Sequence, residues 1–159
     1  MSKIYETTVE TDSSSLLNDN DFKSEKELKD YIILNKEVFC SEVLGIEYKD
    51  HIVELKLPKI DHLFTNEPHV DIVFIDQNDK CYFVELKNPK FAYNELCAGL
   101  SQCLAYRYLA RAHKMNYEGT FLVTTKHANI IPIIIRDNNL DVTYIYFDMS
   151  KHAVFQTEL

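Results

Sequence analysis

Two acidic residues flank a predicted turn symmetrically along the chain. Asp71 and Glu85 each lie seven residues from Asn78, within runs of strand-forming residues. In an antiparallel hairpin centred on Asn78 these two residues would be opposed, with Cβ atoms roughly 5 Å apart. Two carboxylates in that position repel each other unless one is protonated or a cation bridges them. The spacing therefore predicts a site where carboxylates meet on one face of a sheet.

Lys87 adds a positive charge to this pair. Strand alternation puts its side chain on the same face as Glu85, whereas Leu86 points to the other face. Oxygen ligands of this kind suit Mg²⁺ or Mn²⁺. A metal ion held by Asp71 and Glu85, with the Leu86 carbonyl as a further candidate ligand, would polarise a phosphodiester and acidify a bound water. Lys87 would orient that water or stabilise charge on phosphorus. The alternative is an edge hairpin whose charges are merely solvated.

The elements around this hairpin predict an α/β domain. Ser24 and Glu27 form a capping box that begins the first helix. The predicted elements, in chain order, are a helix from 24 to about 39, strands 43–49 and 51–57 separated by a turn at Lys49-Asp50, a loop 58–68, strands 70–76 and 81–86, a helix 93–115, a strand 120–125, a helix 129–137 and a final strand 142–147. This order predicts a mixed central sheet flanked by helices.

The remaining organisation is that of one domain of a cytoplasmic protein. Residues 1–20 lack periodicity and are predicted to be a mobile acidic tail, with a single domain over 21–159. The N-terminus is no signal peptide, and no apolar run approaches the roughly 20 residues that a membrane span needs. The four cysteines have no zinc-type spacing, which favours reduced thiols.

The net charge of −8 is unevenly distributed. Residues 1–50 contain twelve Asp and Glu against six Lys and Arg, whereas residues 80–126 contain three acids against seven bases. A local basic surface on an acidic protein can hold phosphates, but its nonspecific affinity for DNA should be modest and sensitive to salt.

Four segments resemble nucleases of the PD-(D/E)XK class. PHVDIVFID followed by CYFVELKNPK resembles the class signature, although His-Val-Asp replaces Pro-Asp. SEKELKDYIILN resembles the first-helix motif of RecB-like enzymes and of archaeal mismatch- and branch-cleaving endonucleases. SQCLAYRYL is similar to the Gln-x-x-x-Tyr element of RecB-like members, and FLVTTKHANII resembles a segment of the archaeal enzymes. The resemblance spans about 24–147 and implies a restriction-endonuclease-like core.

The resemblance also implies two further catalytic residues. Glu25 matches the first-helix acid, which would support the metal site or the lysine, although a first-turn Glu also stabilises a helix N-terminus. Gln102 matches the glutamine that positions the attacking water or the lysine. Tyr106 lies one helical turn later on the same face.

Several other residues are candidate substrate contacts. His69 lies two residues before Asp71 on the same strand face, and Lys90 and Arg107 carry charges suited to phosphate. Tyr106 is grouped with them. Each of these residues could equally be a solvated or half-buried group without contact to substrate.

The resulting hypothesis is a Mg²⁺- or Mn²⁺-dependent endonuclease that hydrolyses phosphodiester bonds in one step, with DNA as the preferred partner. Three alternatives remain open: an RNA endonuclease with the same centre, a binding or assembly module that has lost turnover, and a structural domain with a coincidental motif. The class tendency implies a homodimer. A virus or mobile element as the source would place the protein in the host cytoplasm.

Overall fold

Six strands form one sheet and follow each other in chain order across it. The structure is a computed structural model that describes residues 22–60, 67–148 and 153–156. The strands are β1 (Tyr48–Lys56), β2 (His69–Asp76), β3 (Cys81–Lys87), β4 (Tyr117–Thr124), β5 (Thr143–Asp148) and β6 (Ala153–Gln156). The helices are α1 (Glu25–Leu34), α2 (Lys36–Val38), α3 (Ala92–Ala112) and α4 (Ile130–Asp137), with a π-helical turn at Phe39–Leu44.

The sheet is mixed, which confirms the predicted α/β class. β1, β2 and β3 are antiparallel neighbours, β3, β4 and β5 are parallel, and β6 returns antiparallel to β5. Parallel neighbours require a crossover connection, which α3 supplies between β3 and β4 and α4 between β4 and β5.

Hydrophobic clusters pack against the two faces of this sheet. Leu28 and Ile32 of α1 pack with Val84 and Leu86 of β3 in one cluster. On the side of α3, Phe83 packs with Tyr106. Residues of β3 at even positions therefore face α1, and those at odd positions face α3, which agrees with the alternation predicted for the hairpin of β2 and β3.

The start of α1 follows the predicted capping box in part. The Ser24 hydroxyl accepts a hydrogen bond from the Glu27 N–H at 3.1 Å. The Glu27 carboxylate accepts from the N–H of Lys23 at 2.7 Å, one residue before the cap. Local sequence thus fixes where α1 begins, and with it the position of Glu25 in its first turn.

Two strand predictions were wrong. Most of the segment 43–49 is not a strand, because Val43 and Leu44 complete the π-helical turn and Gly45, at φ 68°, ends it in the left-handed conformation; only Tyr48 and Lys49 belong to a strand, as the first residues of β1. Lys49-Asp50 is no turn but a register irregularity within the continuous strand β1. The strand at 142–147 is not the final one, since β6 pairs with it.

Other predictions fall partly outside the described residues. The predicted tail at 1–20 lies outside them, as do residues 61–66 of the predicted loop; residues 58–60 and 67–68 form neither helix nor strand. All four cysteines are free, with Cys40 and Cys103 buried. Among the described residues, no helix has the length and apolar character to cross a membrane.

Candidate active site

The hairpin of β2 and β3 brings the two predicted acids together. Ile72 pairs with Val84, and the same register continued by one residue sets Asp71 opposite Glu85. The Leu86 N–H donates a hydrogen bond to Asp71 Oδ2 at 2.8 Å, which ties the Asp71 carboxylate to β3. The strand register thus agrees with the opposition that the spacing about Asn78 predicts.

Glu85 is the centre of a buried polar cluster. Its side chain is only 3% exposed, and the Lys87 ammonium lies 2.8 Å from its Oε1. The Tyr106 hydroxyl of α3 lies 2.7 Å from Glu85 Oε2 and 2.5 Å from the His69 carbonyl oxygen. A phenol carries one proton, so it donates to one of these acceptors at a time. When Glu85 is protonated, it can donate to Tyr106 while Tyr106 donates to His69.

Burial and mutual repulsion shift the acids of this cluster. Burial raises the pKa of Glu85 to about 7, and the charge of Asp71 adds to the rise, whereas Lys87 and Tyr106 oppose it. Burial likewise raises the pKa of Asp71, against the Leu86 N–H and the charge of Lys87. Burial alone would lower the pKa of Lys87, but the charge of Glu85 raises it overall. The pair therefore holds a proton near neutral pH when no cation is bound.

This shift predicts that the metal-free protein loses stability as pH rises. The ordinary pKa of a glutamate is 4.5, and that of folded Glu85 is about 7. Protonated Glu85 therefore contributes to the free energy of unfolding below pH 4.5. This contribution, up to about 3 kcal/mol, is lost as the pH rises from 4.5 through about 7. Urea unfolding in a chelator should show about 2 kcal/mol of this loss between about pH 5.5 and about pH 8.5, because part of it already occurs between pH 4.5 and about pH 5.5.

Glu85→Gln is the control for this prediction. The amide does not titrate, so the difference in stability between the two pH values should shrink by the Glu85 contribution. An equal pH dependence in the wild type and the variant would show that Glu85 titrates normally.

Gly99 of α3 lies directly against Lys87. A Cβ atom at position 99 would lie 3.1 Å from Lys87 Cε and 2.9 Å from Leu122 Cδ1. The absence of a side chain therefore lets the lysine stem pass between α3 and the sheet. The sequence interpretation missed Gly99. A glycine inside the longest helix costs roughly 1 kcal/mol relative to alanine, and this cost was the available signal for a close approach.

Gln102 lies on the same face of α3 as two residues of the site. It is three residues after Gly99 and four before Tyr106, so helical geometry aligns the three. Gln102 itself is exposed. Its role in positioning water stays a prediction.

Glu25 lies close enough to the acids to affect them electrostatically. Among the smaller contributions after burial, its negative charge raises the pKa of both Asp71 and Lys87. Glu25 is exposed in the first turn of α1. The first helix therefore adds negative charge near Asp71 and Lys87, and the catalytic role of Glu25 stays a prediction.

The proposed substrate contacts are more dispersed. His69 is exposed at the start of β2, and its carbonyl oxygen is the acceptor near Tyr106. Lys90 lies between β3 and α3, where its N–H donates to Glu95. Arg107 follows Tyr106 on a different face of α3, and its Nε lies 3.3 Å from Asp141 Oδ2. This ion pair gives Arg107 a structural partner, so the structure does not bring it to the acidic pair.

The acidic pair fits the coordination habits of a small divalent ion. Within the described residues, no group of three or more His, Cys, Asp or Glu side chains is arranged to hold a metal. Mg²⁺, however, usually binds one or two carboxylates and completes its shell with waters and substrate phosphates. A divalent cation bound between Asp71 and Glu85 would relieve the repulsion and loss of hydration that raise the pKa values of these two opposed carboxylates.

Comparison with solved structures identifies the fold. A repair endonuclease from Pyrococcus abyssi matches 80% of this chain at a TM-score of 0.52 and 19% identity. The chain has the fold of that endonuclease. This endonuclease-like fold confirms the restriction-endonuclease-like core that the motifs predict. EndoMS in a complex with dsDNA matches 86% of the chain at a TM-score of 0.49 and 17% identity.

The matched proteins are longer than this chain. The match covers 48% of the Pyrococcus protein and 49% of EndoMS, so the chain spans about half the length of each. No protein-family profile and no curated protein matches the sequence. The endonuclease-like fold is thus shared at low identity, and activity has to be argued from the site.

Proposed function

We propose that this protein is a divalent-metal-dependent endonuclease that hydrolyses phosphodiester bonds, with DNA as the preferred substrate. The observation that carries the proposal is the pair of opposed acids, half-buried Asp71 and buried Glu85, with the Lys87 ammonium 2.8 Å from Glu85. An endonuclease-like fold shared with a protein described as a repair endonuclease supports it. Buried carboxylates cost folding free energy, so a purely structural hairpin would have no use for them.

Asp71 and Glu85 are the residues that would hold the metal ion. The ion would supply Lewis-acid polarisation of the phosphate and acidify a water molecule. The chain's own groups position these ligands: the Leu86 N–H holds Asp71 Oδ2, and the Tyr106 hydroxyl holds Glu85 Oε2. The resulting fixed geometry means that little reorganisation is needed when a substrate binds.

Lys87 would contact the substrate phosphate or the attacking water. Its stem is fixed against Gly99, and its ammonium contacts Glu85 Oε1. From there it can donate a hydrogen bond to a phosphate oxygen as charge develops, or hold the attacking water. In the reaction the water oxygen bonds to phosphorus, the bond from phosphorus to the leaving oxygen breaks, and that oxygen takes up a proton.

A substrate panel tests the proposal. The protein is incubated with single-stranded, duplex, flapped, branched and RNA substrates in Mg²⁺, in Mn²⁺, and in a chelator. We expect cleavage of at least one DNA substrate with metal and none with the chelator. Cleavage of RNA alone would support the metal-dependent centre and contradict DNA as the preferred substrate. Cleavage that persists in the chelator, or no cleavage with either metal, would contradict the proposed function.

A further inference from the structure

A second lysine lies beside the acidic pair. Lys29 of α1 forms an ion pair with Glu54 of β1, and the two side chains are 18% and 47% exposed. Lys29 lies one helical turn after Glu25, on the same face of α1. Its stem is therefore packed between α1 and the sheet, and a partly exposed carboxylate fixes the position of its ammonium.

Glu54 of β1 lies opposite Asp71 of β2 in the sheet. The residues on either side of Glu54 pair with the residues on either side of Asp71, so the two acids are opposite each other on neighbouring strands. Glu54 has φ 56°, a left-handed conformation that residues with side chains adopt at a cost. The strand pairing resumes without a change of register, so the distortion makes no turn or bulge. The residue with this left-handed backbone is the one whose side chain contacts Lys29.

The charges of two lysines act on the carboxylate of Asp71. Burial is the main reason that the pKa of Asp71 is raised, and the charges of Lys87 and Lys29 are both among the contributions that oppose the rise. Lys87 belongs to β3, whereas Lys29 is held at β1, and β2 with Asp71 lies between these strands. The two lysines are thus held at the strands on either side of β2, which carries Asp71.

We propose that Lys29 contacts the substrate and binds a phosphate of the nucleic acid on the β1 side of the acidic pair, with Glu54 as its positioning residue. This inference rests on the proposed function. A polyanion that enters a site with several carboxylates needs compensating cations, and the single charge of Lys87 does not balance Asp71 and Glu85. A compact ammonium suits a phosphate, and a half-exposed ion pair is weak enough for a phosphate to share or replace the carboxylate.

Steady-state cleavage as a function of salt tests this contact, because each phosphate contact releases counterions. Lys29→Gln should raise KM roughly tenfold, since it removes a charged hydrogen bond to the substrate, with a smaller effect on kcat. The slope of log kcat/KM against log salt should become shallower by about 0.9 for a duplex or about 0.7 for a single strand. Lys29→Arg keeps the charge and should restore most of the slope.

Two variants separate a substrate contact from a structural ion pair. Lys26→Gln is the matched control, because Lys26 lies on the same helix, is 79% exposed and pairs with Asp30 at 2.5 Å. Its slope should equal that of the wild type. Glu54→Gln keeps the ammonium but removes the carboxylate that positions it, so KM should rise by less than in Lys29→Gln, whereas the salt slope should stay that of the wild type. If Lys29→Gln and Glu54→Gln change the kinetics equally, the pair is structural and the inference is wrong.

The outcomes also separate this inference from the proposed function. A wild type that cuts no nucleic acid with Mg²⁺ or Mn²⁺ would contradict both. A wild type that cuts, together with a Lys29→Gln variant that keeps the wild-type KM and slope, would contradict only the role of Lys29.

Discussion

Lys87→Met should lower kcat for cleavage by about 10²- to 10³-fold, the usual effect of removing one donor that stabilises a developing charge. Methionine keeps an unbranched stem that can pass Gly99, so packing against α3 is retained. The ammonium beside Glu85 Oε1 is lost. The measurement is single-turnover cleavage at saturating Mn²⁺, which separates the chemical step from substrate binding.

The pKa of Glu85 provides a second readout for this variant. Loss of the lysine charge removes one of the contributions that oppose the raised pKa of Glu85. Part of the lost activity at neutral pH could then reflect protonated Glu85 rather than a missing donor. At about pH 8.5 and saturating metal Glu85 should be ionised in both proteins, and we expect the loss to persist. Full recovery there would show that Lys87 acts only through Glu85.

Lys80→Met is the matched control for the loss of a lysine from the same hairpin. Lys80 immediately precedes β3, is 41% exposed and pairs with Glu118 at 2.7 Å. Exposed ion pairs contribute little to stability. The control should therefore cleave at the wild-type rate, and an equal loss in both variants would indicate a general effect of charge on DNA affinity.

The acidic pair could be predicted from sequence because its geometry is local. A short turn about Asn78 fixes the hairpin register, and register alone sets Asp71 opposite Glu85. The start of α1 could equally be predicted from the sequence, since the Ser24 cap depends on residues within one turn. In both cases the deciding interactions lie close together in the chain.

The missed features depend on contacts between distant segments. Gly99 is required by the stem of Lys87 on another element, and Glu54 is held by Lys29 from a helix 25 residues away. Val43 was assigned to a strand because β-branched residues favour strands, but the apolar residues around it satisfy a helical turn that packs into the core. The strand propensity of a residue does not depend on its tertiary contacts, so it cannot predict them.

Mn²⁺ should stabilise the protein through Asp71 and Glu85, and Asp71→Asn should remove this effect. A ligand at 100 times its dissociation constant stabilises the folded state by about 2.7 kcal/mol. For a chain of this size we expect a rise in Tm of roughly 5–10 °C. The physical reason is that the cation neutralises two opposed carboxylates that otherwise repel each other.

The pH dependence of this stabilisation identifies the ligands. Metal and proton compete for Glu85, whose pKa is about 7, so the same Mn²⁺ concentration should raise Tm less at about pH 5.5 than at about pH 8. Asp79→Asn is the control, because Asp79 is an exposed partner of Lys49 in the same hairpin and should leave the shift unchanged. A shift that survives in Asp71→Asn would place the metal elsewhere. A shift independent of pH would contradict Glu85 as a ligand, because a carboxylate that must lose its proton to bind the metal couples the two equilibria.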